Sequence, residues 1–164
     1  NAVAGFLQAM PGSTILLAPH ANSFERMVPE QHAPNGICWA YENRTSAIRI
    51  PSGSRRARRI EHRVAGGDIN PYLMMAGVLG AALIGIEDGL TPPPPITGNA
   101  YELDLPQLPT TWHDALEELE SSPEIKRIFA PQLIENLVRT KRQEIRYMAE
   151  LSPNEVLDLY LDTV

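Results

Sequence analysis

The chain has 164 residues, 43% of them hydrophobic and 21% charged, with a formal net charge of −6. That length supports one compact domain with a real core, and the acidic balance argues against a general nucleic-acid binder, which is usually basic overall. A single cysteine, Cys38, excludes an internal disulfide framework and points to a reducing, cytoplasmic setting; in the apolar run Ile37-Cys38-Trp39-Ala40 it reads as a buried structural thiol.

In chain order, Ala2 to Met10 reads as the end of a helix stopped by Pro11-Gly12, and a short apolar run, Ile15 to Ala18, leads into Pro19. Short apolar runs separated by polar turns predict three strands, at about 36–42, 46–50 and 58–64. The loop from Ser52 to Arg56 between the last two reads as flexible, with its arginines solvated. Asn70-Pro71 reads as a helix start, asparagine as N-cap and proline at the first helical position, with Gly89 and Pro92 to Pro95 ending the helix. Its apolar stretch, Tyr72 to Ile86, falls short of the roughly 20 residues a bilayer span needs, so a buried core helix is expected, its glycines allowing close neighbours. Helix starts then follow at Thr111, at Ser122-Pro123 and at Ser152-Pro153-Asn154-Glu155, the last with capping-box spacing. Leu133, Ile134, Leu137 and Val138 form an apolar stripe. The C-terminal third reads as packing and assembly surface.

Charge is unevenly placed. Eight of the fourteen basic residues, all arginine, lie between Arg26 and Arg63, whereas thirteen of the twenty acids follow residue 100. The chain therefore presents a positive site on an acidic body. In Arg58-Arg59-Ile60-Glu61-His62-Arg63 the alternation puts Arg59, Glu61 and Arg63 on one strand face. Guanidinium forks match phosphate or carboxylate oxygens two at a time, so arginines around a single acid suit anion clamping plus one hard metal-ligand oxygen. The plainer readings are a solvated strand edge for the cluster, a polar half-strand for Arg49, a turn cap for Asn43 and a surface pair with Glu25 for Arg26.

The ordered series Asn22-Ser23-Phe24-Glu25-Arg26-Met27-Val28-Pro29, Ala33-Pro34, Asn43-Arg44-Thr45, Ile48-Arg49-Ile50-Pro51, Arg58 to Arg63 and Asn70-Pro71-Tyr72-Leu73 resembles the C-terminal half of the catalytic domain of the glutamine synthetase superfamily. The resemblance implies an α+β fold in which an antiparallel sheet forms part of an active-site cleft, packed by helices. Residues 1–97 would form the anion-clamp sheet and core helix, and residues 98–164 a helical extension. It also implies a fragment, with a small N-terminal domain, most metal carboxylates and a histidine-bearing loop preceding Asn1, and no activity on its own.

By the same resemblance, the reaction is ATP-dependent ligation of the glutamate γ-carboxylate to an amine through a γ-glutamyl phosphate, with ATP and Mg2+ or Mn2+ as cofactors and ring assembly of the full-length protein. Arg26 and Arg63 would hold the amino-acid carboxylates, Arg44 and Arg49 the transferred phosphoryl, and Arg59, with Arg49, the nucleotide phosphates; Glu61 would be a metal ligand. Where ammonia-using members carry Gly-Tyr-Glu, this chain has Glu30-Gln31-His32. Putting His32 in place of the ammonium-gathering glutamate resembles the branch that uses larger amines such as polyamines or ethanolamine. Glu30 could fill the role instead, or His32 could be purely structural. A true glutamine synthetase and a non-catalytic relative are the competing readings.

Overall fold

The computed structural model describes residues 1–28 and 33–163. In chain order these form α1 (Ala2–Leu17), β1 (Trp39–Tyr41), β2 (Ile48–Ile50), β3 (Glu61–His62), α2 (Pro71–Glu87), α3 (Trp112–Ser121), α4 (Pro123–Ile128), α5 (Pro131–Met148) and α6 (Pro153–Thr163), with short 3-10 turns at Ala21–Arg26 and Ala100–Glu102. The fold is α+β and mostly helical. No helix among the described residues is long and apolar enough to cross a membrane.

Helix α1 is the centre of the core. It is apolar on every side, and thirteen of its sixteen residues are buried. Its two hydroxyls bond within the helix, Ser13 Oγ to Ala9 O at 2.7 Å and Thr14 Oγ1 to Met10 O at 2.9 Å, so neither is left unmatched where the helix is enclosed. The expected stop at Pro11-Gly12 does not occur: α1 runs through both residues. An interior proline costs about 3 kcal/mol in a helix, and here burial against α2, α3 and α4 overrides that local preference. Gly12 is where α4 seats, since a Cβ there would lie 2.9 Å from Ile125 Cγ1.

Helix α2 crosses α1 at backbone distance. A Cβ on Gly5 would strike the Ala81 carbonyl and lie 2.7 Å from Gly85 N, and one on Gly85 would lie 2.8 Å from Gly5 N. The α2 start is as expected: Asn70 Oδ1 accepts from Tyr72 N at 3.0 Å and Leu73 N at 3.2 Å, with Pro71 first in the helix. Gly89, at φ +64, ends it in the left-handed conformation, and Leu90 N bonds back to Gly85 O at 2.9 Å. The helix is not buried all round, however. Tyr72, Met75, Leu79, Leu83 and Ile86 are exposed, a stripe at three- and four-residue spacing on the side away from α1.

The C-terminal helices begin where the capping residues indicate. Thr111 and Ser122 cap α3 and α4, and Ser152 with Glu155 closes the capping box at α6. In α5, Ile134 and Val138 are buried, whereas Leu133 is exposed and lies off the packed stripe. One hydrophobic core joins Met10, Leu17, Ile48, Val64, Leu116, Leu119 and Ile125.

The sheet is mixed rather than antiparallel. β2 is central, antiparallel to β3 but parallel to β1, with Trp39 opposite Ile48 and Tyr41 opposite Ile50. A parallel neighbour after so short a connection is unusual, because such pairs generally need a crossover of a dozen or more residues. Residues 42–47 manage it by folding tightly. Glu42 takes a left-handed backbone at φ +51, Asn43 Oδ1 accepts from Thr45 N at 2.9 Å, and Ser46 Oγ donates to Asn43 O at 2.9 Å, which returns the chain to the level at which β1 began.

Candidate active site

Strand alternation sets the site. Ile48 and Ile50 turn to the core and Arg49 to the opposite face; on β3 and just beyond, His62 and Val64 turn inward while Glu61 and Arg63 share Arg49's side. Arg49 and Glu61 are cross-strand partners, Nη1 lying 3.0 Å from Glu61 Oε2. Arg63 Nε lies 3.3 Å from Glu61 Oε1, and Arg63 also donates to the Arg44 and Ser46 carbonyls. Arg44, Arg49, Glu61 and Arg63 line one open concavity of ≈ 670 Å³ with Thr45, Asn99 and Tyr101.

The far wall is a strap following the proline run. Trp39 Nε1 donates to Pro93 O at 2.7 Å, Asn43 Nδ2 to Gly98 O at 2.7 Å, Ala100 N to Thr45 Oγ1 at 2.9 Å and the Tyr101 hydroxyl to Ala33 O at 2.9 Å. The 43–45 turn, and with it Arg44, is thereby tied to residues 98–101. Nothing in the charge pattern singles out Asn99 or Tyr101. The one available signal is Gly98, at φ +83, which with Asn99 marks a turn after the prolines.

Two of the expected clamp residues lie elsewhere. Arg26 Nη2 donates to Leu17 O at 3.1 Å and Val64 O at 2.6 Å, bracing the carbonyl end of α1 against the exit of β3; burial lowers its affinity for its proton, partly countered by the charge of Asp68. Arg59 is exposed, bonded to Ala57 O at 3.4 Å, and is not among the lining residues. The alternation of Arg59, Glu61 and Arg63 along one strand holds for the last two only. Sheet pairing covers Glu61 and His62, and the preceding residues 52–60 form an exposed loop, so the register does not reach back to Arg59. His32 and Glu30 lie outside the described residues.

Around the site, Glu42 lies on the far side of Arg49, its Oε2 3.0 Å from Nη2. The hydrogen bond from Ser52 N, followed by that from Arg49, holds the Glu42 carboxyl below the usual range. His62 packs edge-on to Phe6 with ring centroids 5.9 Å apart, and burial lowers its pKa to about 4. Cys38 is buried, with its thiol pKa raised by burial, in keeping with a structural role. A second cavity, ≈ 480 Å³, is walled by leucines from four helices, and its rim charges are already engaged, Lys141 with Glu144 and Pro19 O, Asp68 with Ser23.

As a place for a divalent cation, Glu61 would offer hard carboxylate oxygen within the concavity, the chemistry magnesium or manganese prefers. It fits as one ligand of several. No group of three or more His, Cys, Asp or Glu side chains that could hold a metal occurs among the described residues.

Arg44, Arg49 and Arg63 thus share one concavity with the Glu61 carboxylate, and a second carboxylate, Glu42, stands behind Arg49. The family model for the glutamine synthetase catalytic domain matches residues 1–159, and the chain belongs to that family. It is 41% identical over 143 residues to a gamma-glutamylethanolamide synthetase of Streptomyces coelicolor, covering 87% of this chain and 31% of that protein. Identity is 39% over 125 residues to a gamma-glutamylputrescine synthetase of Escherichia coli, covering 76% of this chain and 26% of the relative, and 33% over 174 residues to a glutamine synthetase of Sulfolobus acidocaldarius, covering 98% and 37%. A solved ADP complex of GmaS superposes with a TM-score of 0.80 at 30% identity over 94% of this chain and 37% of that one. The chain thus spans about a third of the length of the relatives it matches.

Proposed function

We propose that this chain is the C-terminal portion of an ATP-dependent ligase that joins the γ-carboxylate of glutamate to an organic amine through a γ-glutamyl phosphate, the rest of the catalytic unit coming from a longer polypeptide that assembles as a ring. The observation that carries the reading is the convergence of Arg44, Arg49 and Arg63 on one concavity with Glu61 between them. A carboxylate attacking a triphosphate brings two anions together, and the transferred phosphoryl spreads charge over its oxygens, so fixed guanidinium groups favour both encounter and transition state. Arg44 and Arg49 would hold the phosphoryl and Arg63 the substrate carboxylate. Glu61 would be one ligand of a magnesium or manganese ion, which when bound adds positive charge at the phosphate oxygens. Arg26, in this conformation, braces α1, and Arg59 would reach nucleotide phosphates only from its loop.

The choice of an organic amine rests on His32 and on the higher identity to the two γ-glutamyl-amine synthetases than to the glutamine synthetase. A neutral imidazole attracts a small ammonium ion less than a carboxylate does, and it can accept a proton from a protonated amine. The test is phosphate release by the complete protein with glutamate, ATP and a panel of ammonia, ethanolamine and putrescine. An organic amine should give the higher kcat/KM, and His32→Glu should move the ratio toward ammonia by roughly fivefold, the worth of about 1 kcal/mol of added attraction. A wild type that prefers ammonia identifies a glutamine synthetase instead. Absence of turnover with every amine identifies a non-catalytic relative.

A further inference from the structure

Arg49 is held from two sides by carboxylates of unequal freedom. Its side chain is 13% exposed, with Nη1 3.0 Å from Glu61 Oε2 and Nη2 3.0 Å from Glu42 Oε2. Glu61 divides its oxygens between two arginines, Oε2 to Arg49 and Oε1 to Arg63. Glu42 is committed differently: Oε2 meets Arg49, while Oε1 accepts from Ser52 N, so this carboxylate is tied to backbone at the start of the next loop. Its own backbone is left-handed at φ +51, a conformation that disfavours most side chains other than glycine and asparagine. The strain and the double anchoring together fix where the Glu42 carboxylate stands.

A cation at Glu61 changes the local balance. Oxygens that coordinate a metal are no longer available to Arg49, and the metal's charge repels the neighbouring guanidinium. Without a second anion, Arg49 would either swing away from the concavity or keep Glu61 and exclude the cation. We propose that Glu42 is a positioning residue: it is the standing counter-ion of Arg49, which holds that guanidinium at the concavity and releases Glu61 to the cation. This rests on the reading of Glu61 as a cation ligand.

The test is Mn2+ titration of the complete protein without nucleotide, followed by electron paramagnetic resonance of free Mn2+. Glu42→Gln should weaken binding about fivefold or more, because Arg49 then competes for Glu61. In an Arg49→Gln background the same substitution should have little effect, since the competitor is gone. Equal weakening in both backgrounds overturns the proposal, showing that the Glu42 charge acts on the metal directly. Unchanged binding in Glu42→Gln, with Glu61→Gln losing it, overturns the proposal and leaves Glu61 as the ligand. Unchanged binding in Glu61→Gln removes the metal reading and this inference together. If the glutamine variant fails to fold, Glu42→Asn, suited to a left-handed backbone, repeats the comparison.

Discussion

At the α1–α2 crossing two backbones meet through Gly5 and Gly85, and side chains there are small and apolar. The sheet pairs only a few residues and is tied in place by Asn43, Thr45, Arg49, Glu61 and the strap at 98–101. The crossing has no freedom to accept added atoms and carries no charge. The sheet presents open space and charge, and its contacts can be exchanged for a ligand's. Stability is therefore expected to concentrate at the crossing and anion affinity at the sheet, so substitutions in the two regions should separate along those axes.

The largest effect is expected from Gly5→Ala or Gly85→Ala. The obstructing atoms belong to backbone, so the helices must part, at a cost of about 3 kcal/mol or outright loss of folding; urea denaturation measures it, and a midpoint unchanged from wild type would show that the crossing is loose. Next comes pH. The neutral His62 ring has a folded pKa of about 4 against an unfolded value near 6.5, so its contribution is complete above pH 6.5 and is lost as pH falls toward 4. With metal chelated, wild type should lose about 2 kcal/mol more than His62→Phe between pH 7 and 4.5. Asn70→Ala removes the acceptor for two α2 amide groups and should cost about 1 kcal/mol, read as a lower thermal midpoint. Arg44→Ala sharpens the comparison from the other side: it should change stability by less than about 0.5 kcal/mol while lowering ligase turnover of the complete protein about 100-fold. Substantial unfolding in that variant would make Arg44 a structural residue.

Helix starts were legible because their signals are local. Asn70, Thr111, Ser122 and Ser152 each bond to amide groups two or three residues on, and the same residues mark them in the sequence. The charged face of Glu61 and Arg63 was legible from strand alternation. What local reading could not supply depends on distant packing. Pro11 stands inside a helix because the rest of α1 is buried against α2, α3 and α4, and the parallel pairing of β1 with β2 depends on a side-chain-braced turn. Arg26 and Arg59 share the residue type and neighbourhood of the clamp, yet one is drawn to the α1 carbonyl end and the other lies in an exposed loop. Tyr101 and Asn99 reach the concavity through a strap that no periodicity announces.

The glycine crossing also has a topological consequence. Gly5 and Gly85 close the chain on itself, so the sheet and its arginines ride on a loop whose two ends are welded together. Entropy of such a loop grows only slowly with length, about 0.6 kcal/mol for each doubling. Extra residues inserted at the exposed tip between Ser52 and Arg59 should thus be tolerated, and a protease cut at the same tip should leave both pieces in one folded body.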